Sequence, residues 1–231
     1  MSNTQKIQWM RLSVEAAAIV ASILLAFAID AWWDYRKDLI AEVKILQNLK
    51  DEFTANHETL LKDVEYVSTY TQAIQRLLVA YEGTSASRQF VDSLGVDLWH
   101  SMSWRTLNLS TATLDSVIGA GHLDIIRDQP LRAALAGWAA RLDDMAEEEM
   151  FEWLEVTERY RPFVGRFVSI PSLEGAERKP ADPDSLRRLL ESVEFGSLLS
   201  MRLDVSLVSL EDKNKTLAEL NRILDLLMDV S

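Results

Sequence analysis

The sequence predicts an all-α protein whose N-terminal transmembrane helix continues into a long amphipathic helix, which packs in a multi-helix, bundle-like domain. Three observations support this prediction. The 14 residues from Ala16 to Ile29 are uncharged and almost wholly apolar. Downstream of them, apolar residues recur at helical spacing over long stretches. The chain of 231 residues includes only eight Gly and five Pro, which favours long helices over a turn-rich β fold.

The apolar run has the flanks of a membrane-spanning helix. Basic residues and a tryptophan precede it, and Trp32 and Trp33 follow it as interface anchors. A hydrocarbon core of about 30 Å requires about 20 helical residues. Residues 12–33 supply 22, provided that Glu15 and Asp30 lie near the two headgroup layers. We therefore predict a transmembrane anchor over 12–33.

A secretory signal peptide is the main alternative. Lys6 and Arg11 form a basic region ahead of the apolar run, and Ala26-Phe27-Ala28 matches a small-x-small cleavage site. Two features argue against cleavage: Glu15 interrupts the start of the apolar segment, and residues 29–38 continue directly into another helix. A buried helix of a soluble protein is disfavoured by the tryptophan pair. We expect an uncleaved, single-pass anchor.

The anchor divides the chain into a short polar tail at 1–11, the span, and an acidic helical domain at 34–231. The tail has basic residues and no acid, which favours its retention in the cytoplasm, although Arg36 and Lys37 on the other flank oppose this orientation. We expect the C-terminal domain to be extracytoplasmic. After residue 37 the chain carries 20 Lys and Arg against 33 Asp and Glu, which argues against a nucleic-acid partner. The absence of cysteine excludes disulfides and thiolate metal sites.

The clearest periodicity in the acidic domain runs from Asp34 to Glu82. One series with a seven-residue spacing is wholly apolar: Leu39, Leu46, Phe53, Leu60, Val67, Ile74 and Tyr81. The companion series that begins at Val43 is mixed, whereas a strict coiled coil would have both series apolar. We therefore predict one amphipathic helix that packs within its own domain. Self-association through this helix is the alternative.

Further helices are expected beyond a break at 83–87. They cover 88–99, a segment from Ser110 or Thr111 to Ile118, 130–167, 184–193 and 194–228. Asp128 is the expected cap of the helix that begins at Pro130, because proline is favoured in a first turn. Pro162 is expected to kink or divide that helix. Residues 169–183 contain three prolines and a glycine and predict a connection.

Two runs of residues resemble a known pattern. The first reads Glu15-x9-Leu25-Ala26-x2-Ile29-Asp30-x-Trp32-Trp33-Asp34-Tyr35-Arg36 and continues as Glu42-x3-Leu46-x2-Leu49-x2-Glu52-Phe53-x2-Asn56; the second reads Thr113-Leu114-x4-Gly119-x-Gly121-x-Leu123-x-Ile125-Ile126-Arg127. Over most of residues 10–160 the chain resembles a bacterial family of uncharacterised single-span membrane proteins. The resemblance implies an inner-membrane anchor with a helical domain of unknown function, and it brings no catalytic residues.

The residue types that carry chemistry do not form a catalytic or metal-binding motif. The histidines His57, His100 and His122 are far apart, and none has the spacing of a metal-ligand pair. His122 lies in a Gly-rich turn close to Asp124, but the sequence names no nucleophile or metal that it would serve. We expect no catalytic residue, no cofactor and no metal site.

An acidic run is the nearest approach to a cation site. Asp143 with Glu147, and Asp144 with Glu148, have the i,i+4 spacing at which paired carboxylates can bind a hard cation. Di-metal helical bundles add a histidine three residues after a glutamate, and the sequence contains no such pair. We interpret the run, which ends at Glu149, as a solvated helix face.

The membrane segment presents one face of small and polar residues, formed by Glu15, Ala18, Ser22 and Ala26. Small residues four apart allow close approach of two helices, and a polar residue can form a hydrogen bond across them. This face predicts self-association or binding of a partner span. The alternative is a single alanine-rich helix in which Glu15 reaches the headgroup layer.

Three classes of function remain after these exclusions. The first is a membrane-anchored interaction or scaffold protein without enzymatic activity. The second is an extracytoplasmic sensor or ligand-binding module that acts through a partner membrane protein, and an enzyme is the third and least supported. The expected partners are the lipid bilayer and either a second copy of the chain or another membrane protein.

Overall fold

The computed structural model describes residues 3–83, 88–170 and 182–230, with side chains over 15–83, 94–170 and 182–230. The helices are α1 (Asn3–Glu82), α2 (Arg88–Ser101), α3 (Ala112–Gly119), α4 (Gln129–Leu154), α5 (Arg161–Val164), α6 (Pro183–Leu190) and α7 (Val193–Asp229). A 3-10 turn, His122–Ile125, precedes α4, and a π-helical turn, Glu155–Tyr160, joins α4 to α5. The described residues contain no strand, which confirms the all-α prediction. Most of the predicted break and connection, at 84–87 and 171–181, lies outside the described residues.

Helix α1 has two parts of different character. It is continuous over 80 residues, which corresponds to a length of about 120 Å. Residues 15–38 are exposed along the whole surface of the helix, and the first buried side chain is that of Leu46. The exposed part is long and apolar enough to cross a membrane, with a mean hydropathy of 1.9 over its best window. The remainder is the central helix of the folded domain.

The predicted apolar series of α1 is the buried face of that helix. Its members from Leu46 to Ile74 are buried, and Leu39 and Tyr81 at its ends are half-buried. Against this face pack α7 and α2, and α4 packs against α7. Ring and ion-pair contacts place Phe53 beside Trp138 and Asp63 beside Lys213. Further along α1, Tyr70 contacts Glu152 of α4 and Arg202 of α7. The contacts with α4 advance along both helices in the same direction, so α4 runs parallel to α1. The contacts with α7 advance in opposite directions, so α7 runs antiparallel.

The core consists of two apolar clusters stacked along α1. The lower cluster, nearer the exposed apolar part of α1, combines Leu46, Leu49, Phe53 and Leu60 with Leu131, Leu135, Trp138, Leu220, Ile223 and Leu227. The upper cluster combines Val67, Tyr70, Ile74 and Leu77 with Leu98, Tyr160, Phe163, Phe195 and Leu199. Between the two clusters the buried side chains are polar or charged. The fold therefore places a polar layer at the middle of the bundle.

The start and end of α4 follow from local chemistry. The carboxylate of Asp128 accepts a hydrogen bond from the Leu131 backbone N–H at 2.7 Å, which confirms the predicted cap. Pro162 lacks an N–H, and its ring would clash with the carbonyl group of a regular preceding turn. The wider π-helical turn directly before it relieves this conflict. The predicted effect of Pro162 therefore takes the form of a π turn, and the helix ends at Val164.

One segment of the domain has no regular structure. Residues 103–111 connect α2 to α3 without helical hydrogen bonds, and we call them the extended segment. Backbone N–H and C=O groups that are withdrawn from water need partners elsewhere. The sequence offered no pattern for this segment, and its partners come from side chains of α1, α4 and α7.

Candidate functional site

Of the seven charged side chains that are buried in the described residues, five form ion pairs with one another between the two apolar clusters, and we call these five the buried ionic layer. They are Asp63 of α1, Glu149 and Glu152 of α4, and Arg202 and Lys213 of α7. Charged side chains are almost never fully buried unless they are paired, because the removal of each ion from water costs roughly several kcal/mol. The arrangement of the layer therefore shows how the fold compensates for this cost.

Lys213 contacts two carboxylates. Its Nζ lies 2.8 Å from Asp63 Oδ2, and it also donates to the carboxylate of Glu149. Asp63 has a second cation, since Arg105 Nε lies 2.9 Å from its Oδ1. Burial would lower the pKa of Lys213, but the hydrogen bonds and charges of the two acids outweigh it and raise that pKa. Lys213, together with Arg105 at the edge of the layer, thus balances the charges of the two acids.

Glu152 and Arg202 form the other half of the layer. Glu152 Oε1 accepts hydrogen bonds from Tyr70 OH at 2.7 Å and from Arg202 Nη1 at 2.9 Å, and its Oε2 accepts one from Ser209 Oγ at 3.1 Å. The Arg202 guanidinium also lies over the Tyr70 ring, 4.9 Å from its centroid. Burial, reinforced by the charge of Glu152, raises the pKa of Tyr70. A neutral Tyr70 hydroxyl therefore donates to the same carboxylate oxygen that Arg202 contacts.

The buried ionic layer also supplies partners for backbone groups at the end of α2 and in the extended segment. Arg202 donates to the carbonyl oxygens of Ser101, at 3.0 Å from Nε, and of Ser103, at 2.6 Å from Nη2. The Leu107 N–H donates to the Glu149 carboxylate at 3.1 Å. Ionised donors and acceptors form stronger hydrogen bonds than neutral ones. The charges consequently hold the extended segment against the three long helices.

The position of Glu149 corrects the interpretation of the acidic run. Asp143, Asp144, Glu147 and Glu148 are exposed, as expected of a solvated face, but Glu149 is buried. It lies one turn after the buried Met145 and therefore on the inner side of α4. The sequence carried a further signal for this layer. Five buried polar residues of α7 interrupt its apolar stripe at helical spacing: Arg202, Ser206, Ser209, Lys213 and Thr216.

A second set of contacts lies at the lower end of the bundle, and we call it the collar. It joins Glu52 and Asn56 of α1 to the start of α3. The Glu52 carboxylate accepts hydrogen bonds from Thr113 N at 2.7 Å and Leu114 N at 3.3 Å. Asn56 exchanges two hydrogen bonds of 2.8 Å with the backbone N–H and C=O of Ser110. Thr111 precedes α3 as predicted, but it gives no side-chain capping bond, and Glu52 performs that role from another helix.

The collar continues downward to Arg127, at the end of the turn that follows α3. The Arg127 N–H donates to Glu42 Oε1 at 2.7 Å, and its Nε lies 3.4 Å from Glu42 Oε2. Its guanidinium lies over the ring of Tyr35, 4.7 Å from the centroid. The two sequence runs that carry the family resemblance therefore contact each other, since Tyr35 and Glu42 belong to the first and Arg127 to the second.

The residues predicted to form a packing face within a membrane are all exposed. Glu15, Ala18, Ser22 and Ala26 contact no part of the bundle surface that is described, and Ser22 Oγ donates to the Ala18 carbonyl of its own helix at 2.7 Å. The rings of Trp32 and Trp33 are exposed, with centroids 6.1 Å apart. These positions are compatible with contact to lipid or to another helix.

The histidines do not form a site. His122 is exposed, and His57 and His100 are half-buried on other helices. Within 15–83, 94–170 and 182–230, where side chains are described, no three acidic or histidine side chains are grouped to hold a metal ion. An open groove of about 420 Å³ lies between α5 and the start of α7, with Arg159, Arg166 and Glu194 among its charged lining residues.

Comparisons with protein families, with curated proteins and with solved structures gave no match. The family resemblance of the sequence therefore stays a prediction, and the geometry of the chain carries the functional argument.

Proposed function

We propose that the protein is a single-pass, membrane-anchored helical interaction or scaffold protein without enzymatic activity. The observation that carries this proposal is the continuity of α1, whose apolar part is exposed and whose following part is the central helix of the bundle. A helix of this kind fixes a folded domain at the surface of a bilayer. We place the protein in a bacterial inner membrane, with its C-terminal domain outside the cytoplasm.

The connection between anchor and bundle supports a scaffold. The first glycine of the chain is Gly83, and no proline precedes it. Residues 34–45, between the tryptophan pair and the first buried leucine, are helical throughout and span about 18 Å. Flexible tethers are instead rich in glycine or serine. The bundle is therefore displayed at a defined height and rotation above the anchor.

The chemistry of the buried groups supports binding rather than catalysis. A catalytic site needs a nucleophile or base with free access to a substrate. In the buried ionic layer the carboxylates of Glu149 and Glu152 instead bind Lys213, Arg202 and backbone N–H groups. These contacts stabilise the bundle and leave its surface for partners, which we propose to be another membrane protein or a second copy of the chain.

A sensor or ligand-binding module is the second candidate, and the open groove of about 420 Å³ favours it. The groove combines an apolar wall, including Phe163 and Leu198, with the cations Arg159 and Arg166. Small-molecule sites typically join apolar walls to a few polar groups. A saturable ligand whose affinity falls in Arg166→Ala would support this candidate over a scaffold.

The test of the main proposal uses the full chain with a C-terminal tag in bacterial membranes. We expect resistance to alkaline extraction, an uncleaved chain of 26.2 kDa plus the tag, and an extracytoplasmic C-terminal reporter. A partner or a second copy should co-purify after solubilisation, and it should be absent when the bundle is replaced by an unrelated domain on the same anchor. A mature chain that begins after Ala28 would contradict the anchor. A solubilised monomer without a partner would contradict the interaction role.

A further inference from the structure

The depth of Tyr35 in a membrane follows from its position on α1. If residues 12–33 span the bilayer, the hydrocarbon edge lies between Asp30 and Trp33. The headgroup layer beyond this edge is about 5–7 Å thick on each side of the bilayer. Tyr35 follows Trp33 by two residues, which is a rise of about 3 Å. Helical side chains lean towards the helix N-terminus, so the Tyr35 ring tilts back towards the hydrocarbon. The ring therefore lies in the headgroup layer.

Arg127 shares this depth because it contacts Tyr35. Its Cζ lies 4.7 Å from the Tyr35 ring centroid, and its Nη1 lies 3.4 Å from the Tyr35 hydroxyl. The Arg127 backbone lies further from the membrane than the Tyr35 ring does, because its N–H donates to Glu42, two turns further along α1, at 2.7 Å. The side chain consequently extends from the bundle down to the level of the headgroups.

The Arg127 guanidinium has room for another acceptor. Glu42 approaches Nε only at 3.4 Å, and the side chain is 45% exposed. A guanidinium is planar and carries five N–H donors, in a geometry that matches the oxygens of a phosphate group. The charged acceptors that every phospholipid offers at this level are its phosphate oxygens.

We propose that Arg127 binds a lipid phosphate and so attaches the collar to the membrane surface. This inference rests on the proposed function, because α1 sets the depth of Tyr35. The ligand is a phosphate of the bilayer that α1 crosses rather than a free anion, because α1 holds Arg127 at the level of the headgroups of that bilayer. The bundle as a whole is acidic, so a single arginine, and not a broad basic surface, makes the contact with the phosphate. Binding then depends on the phosphate group more than on the net charge of the lipid.

The test compares the melting temperature of the full chain in dodecyl maltoside micelles, which lack phosphate, and in phosphatidylcholine nanodiscs. We expect the rise from micelle to nanodisc to be about 2 °C smaller in Arg127→Gln than in the wild type. The matched control is Arg222→Gln, an exposed arginine on α7 that pairs with Glu219, and it should keep the wild-type rise. Arg127→Lys should keep part of the rise, because lysine retains the positive charge but lacks the planar set of N–H donors of a guanidinium.

Two outcomes would overturn the inference while leaving the proposed function intact. In the first, Arg127→Gln keeps the full rise. In the second, inorganic phosphate added to micelles reproduces that rise for the wild type, which would show a free-anion site. A fluorophore on Ala26→Cys, in a chain that has no native cysteine, separates this failure from that of the proposed function. Quenching by brominated lipid chains confirms the span, whereas an unquenched label overturns the span and the lipid contact together.

Discussion

Lys213 Nζ on α7 lies 2.8 Å from Asp63 Oδ2 on α1, so two fully buried opposite charges fix the alignment of two antiparallel helices. A slip of one helical turn would leave both charges without a partner in an apolar core. Buried polar groups are well documented as determinants of helix register, at a cost in stability. We infer that the buried ionic layer specifies one arrangement of long helices whose apolar stripes alone would tolerate several.

Removal of the Lys213 charge should destabilise the bundle strongly. Lys213→Met leaves Asp63 and Glu149 buried without their shared cation, and we expect a loss of about 3–5 kcal/mol in the free energy of unfolding. Denaturant titration followed by far-UV circular dichroism measures it. Lys215→Met is the matched control, because Lys215 is exposed, and it should behave as the wild type. Equal stability of the two variants would contradict a structural role for the layer.

The pair of Arg202 and Glu152 should show strong coupling. Arg202→Met leaves Glu152 with an uncompensated charge and frees the Ser101 and Ser103 carbonyls, at a cost of about 3–5 kcal/mol. Glu152→Gln in the same chain removes that charge and should restore part of the loss. A double-mutant cycle on unfolding free energies measures the coupling. Additive effects of the two substitutions would refute the direct interaction.

Glu52 should act as the cap of α3. Glu52→Ala removes the acceptor of the Thr113 and Leu114 N–H groups, and we expect a loss of about 1–2 kcal/mol. Hydrogen exchange of those two amides should accelerate more than exchange in α4. Asp51→Ala, its exposed neighbour on α1, is the control and should leave the exchange unchanged. Uniform acceleration over the whole bundle would show that the effect is not local.

Stability should be lost at alkaline pH. Burial raises the pKa of Tyr160 to about 12, and the pKa of Lys213 is also raised in the folded state. Tyrosine and lysine ionise at about 10 and 10.4 when unfolded. Groups with a raised folded-state pKa give stability that is complete below the unfolded value and lost above it. We therefore expect constant contributions from these groups up to about pH 10 and a decline towards pH 12.

Tyrosinate absorbance at 295 nm measures this transition beside circular dichroism. The chain has five tyrosines, and Tyr160 should ionise together with unfolding rather than before it. The pKa of the buried Tyr70 is also raised, so a Tyr160→Phe variant should lose one of the two tyrosines that contribute to this late absorbance change. Ionisation of all tyrosines near pH 10 in a fully folded chain would contradict the burial of this hydroxyl.

The proposed membrane-spanning part of α1 gives a prediction about association. If Ala18 and Ser22 line a helix–helix contact, the double substitution Ala18→Leu with Ser22→Leu should abolish the signal in a membrane two-hybrid assay, because leucine prevents close approach. Ala28→Leu, on another face of the same helix, should leave it intact. Association that survives the double substitution would remove this face as the contact.

Sequence patterns predicted the parts of the fold that depend on local or apolar periodicity. The series from Leu46 to Ile74 identified the buried face of α1, and Asp128 with Pro130 marked the start of α4. In each of these cases the deciding residues belong to the helix itself or directly precede it. Hydrophobic periodicity and capping chemistry are therefore sufficient to predict them.

The buried ionic layer and the collar required the three-dimensional structure. Glu149 was expected to be solvated because acids precede it in sequence, and its partner Lys213 is 64 residues away. Glu52 caps a helix that begins 60 residues later, so the cap is invisible to a local motif. Apolar patterning also treats a charge within an apolar stripe as an interruption, and so it does not detect pairs such as Arg202 with Glu152.

If its apolar part spans a membrane as proposed, the unbroken helix α1 is also a mechanical lever. From Trp33 to Glu82 it extends about 74 Å beyond the anchor. A change of about 10° in the tilt of the anchor would therefore move the far end of the helix by about 13 Å, if the helix stays straight. Lipid composition, bilayer thickness or a neighbouring span changes tilt by such amounts. The bundle would report an event inside the membrane as a displacement far from it.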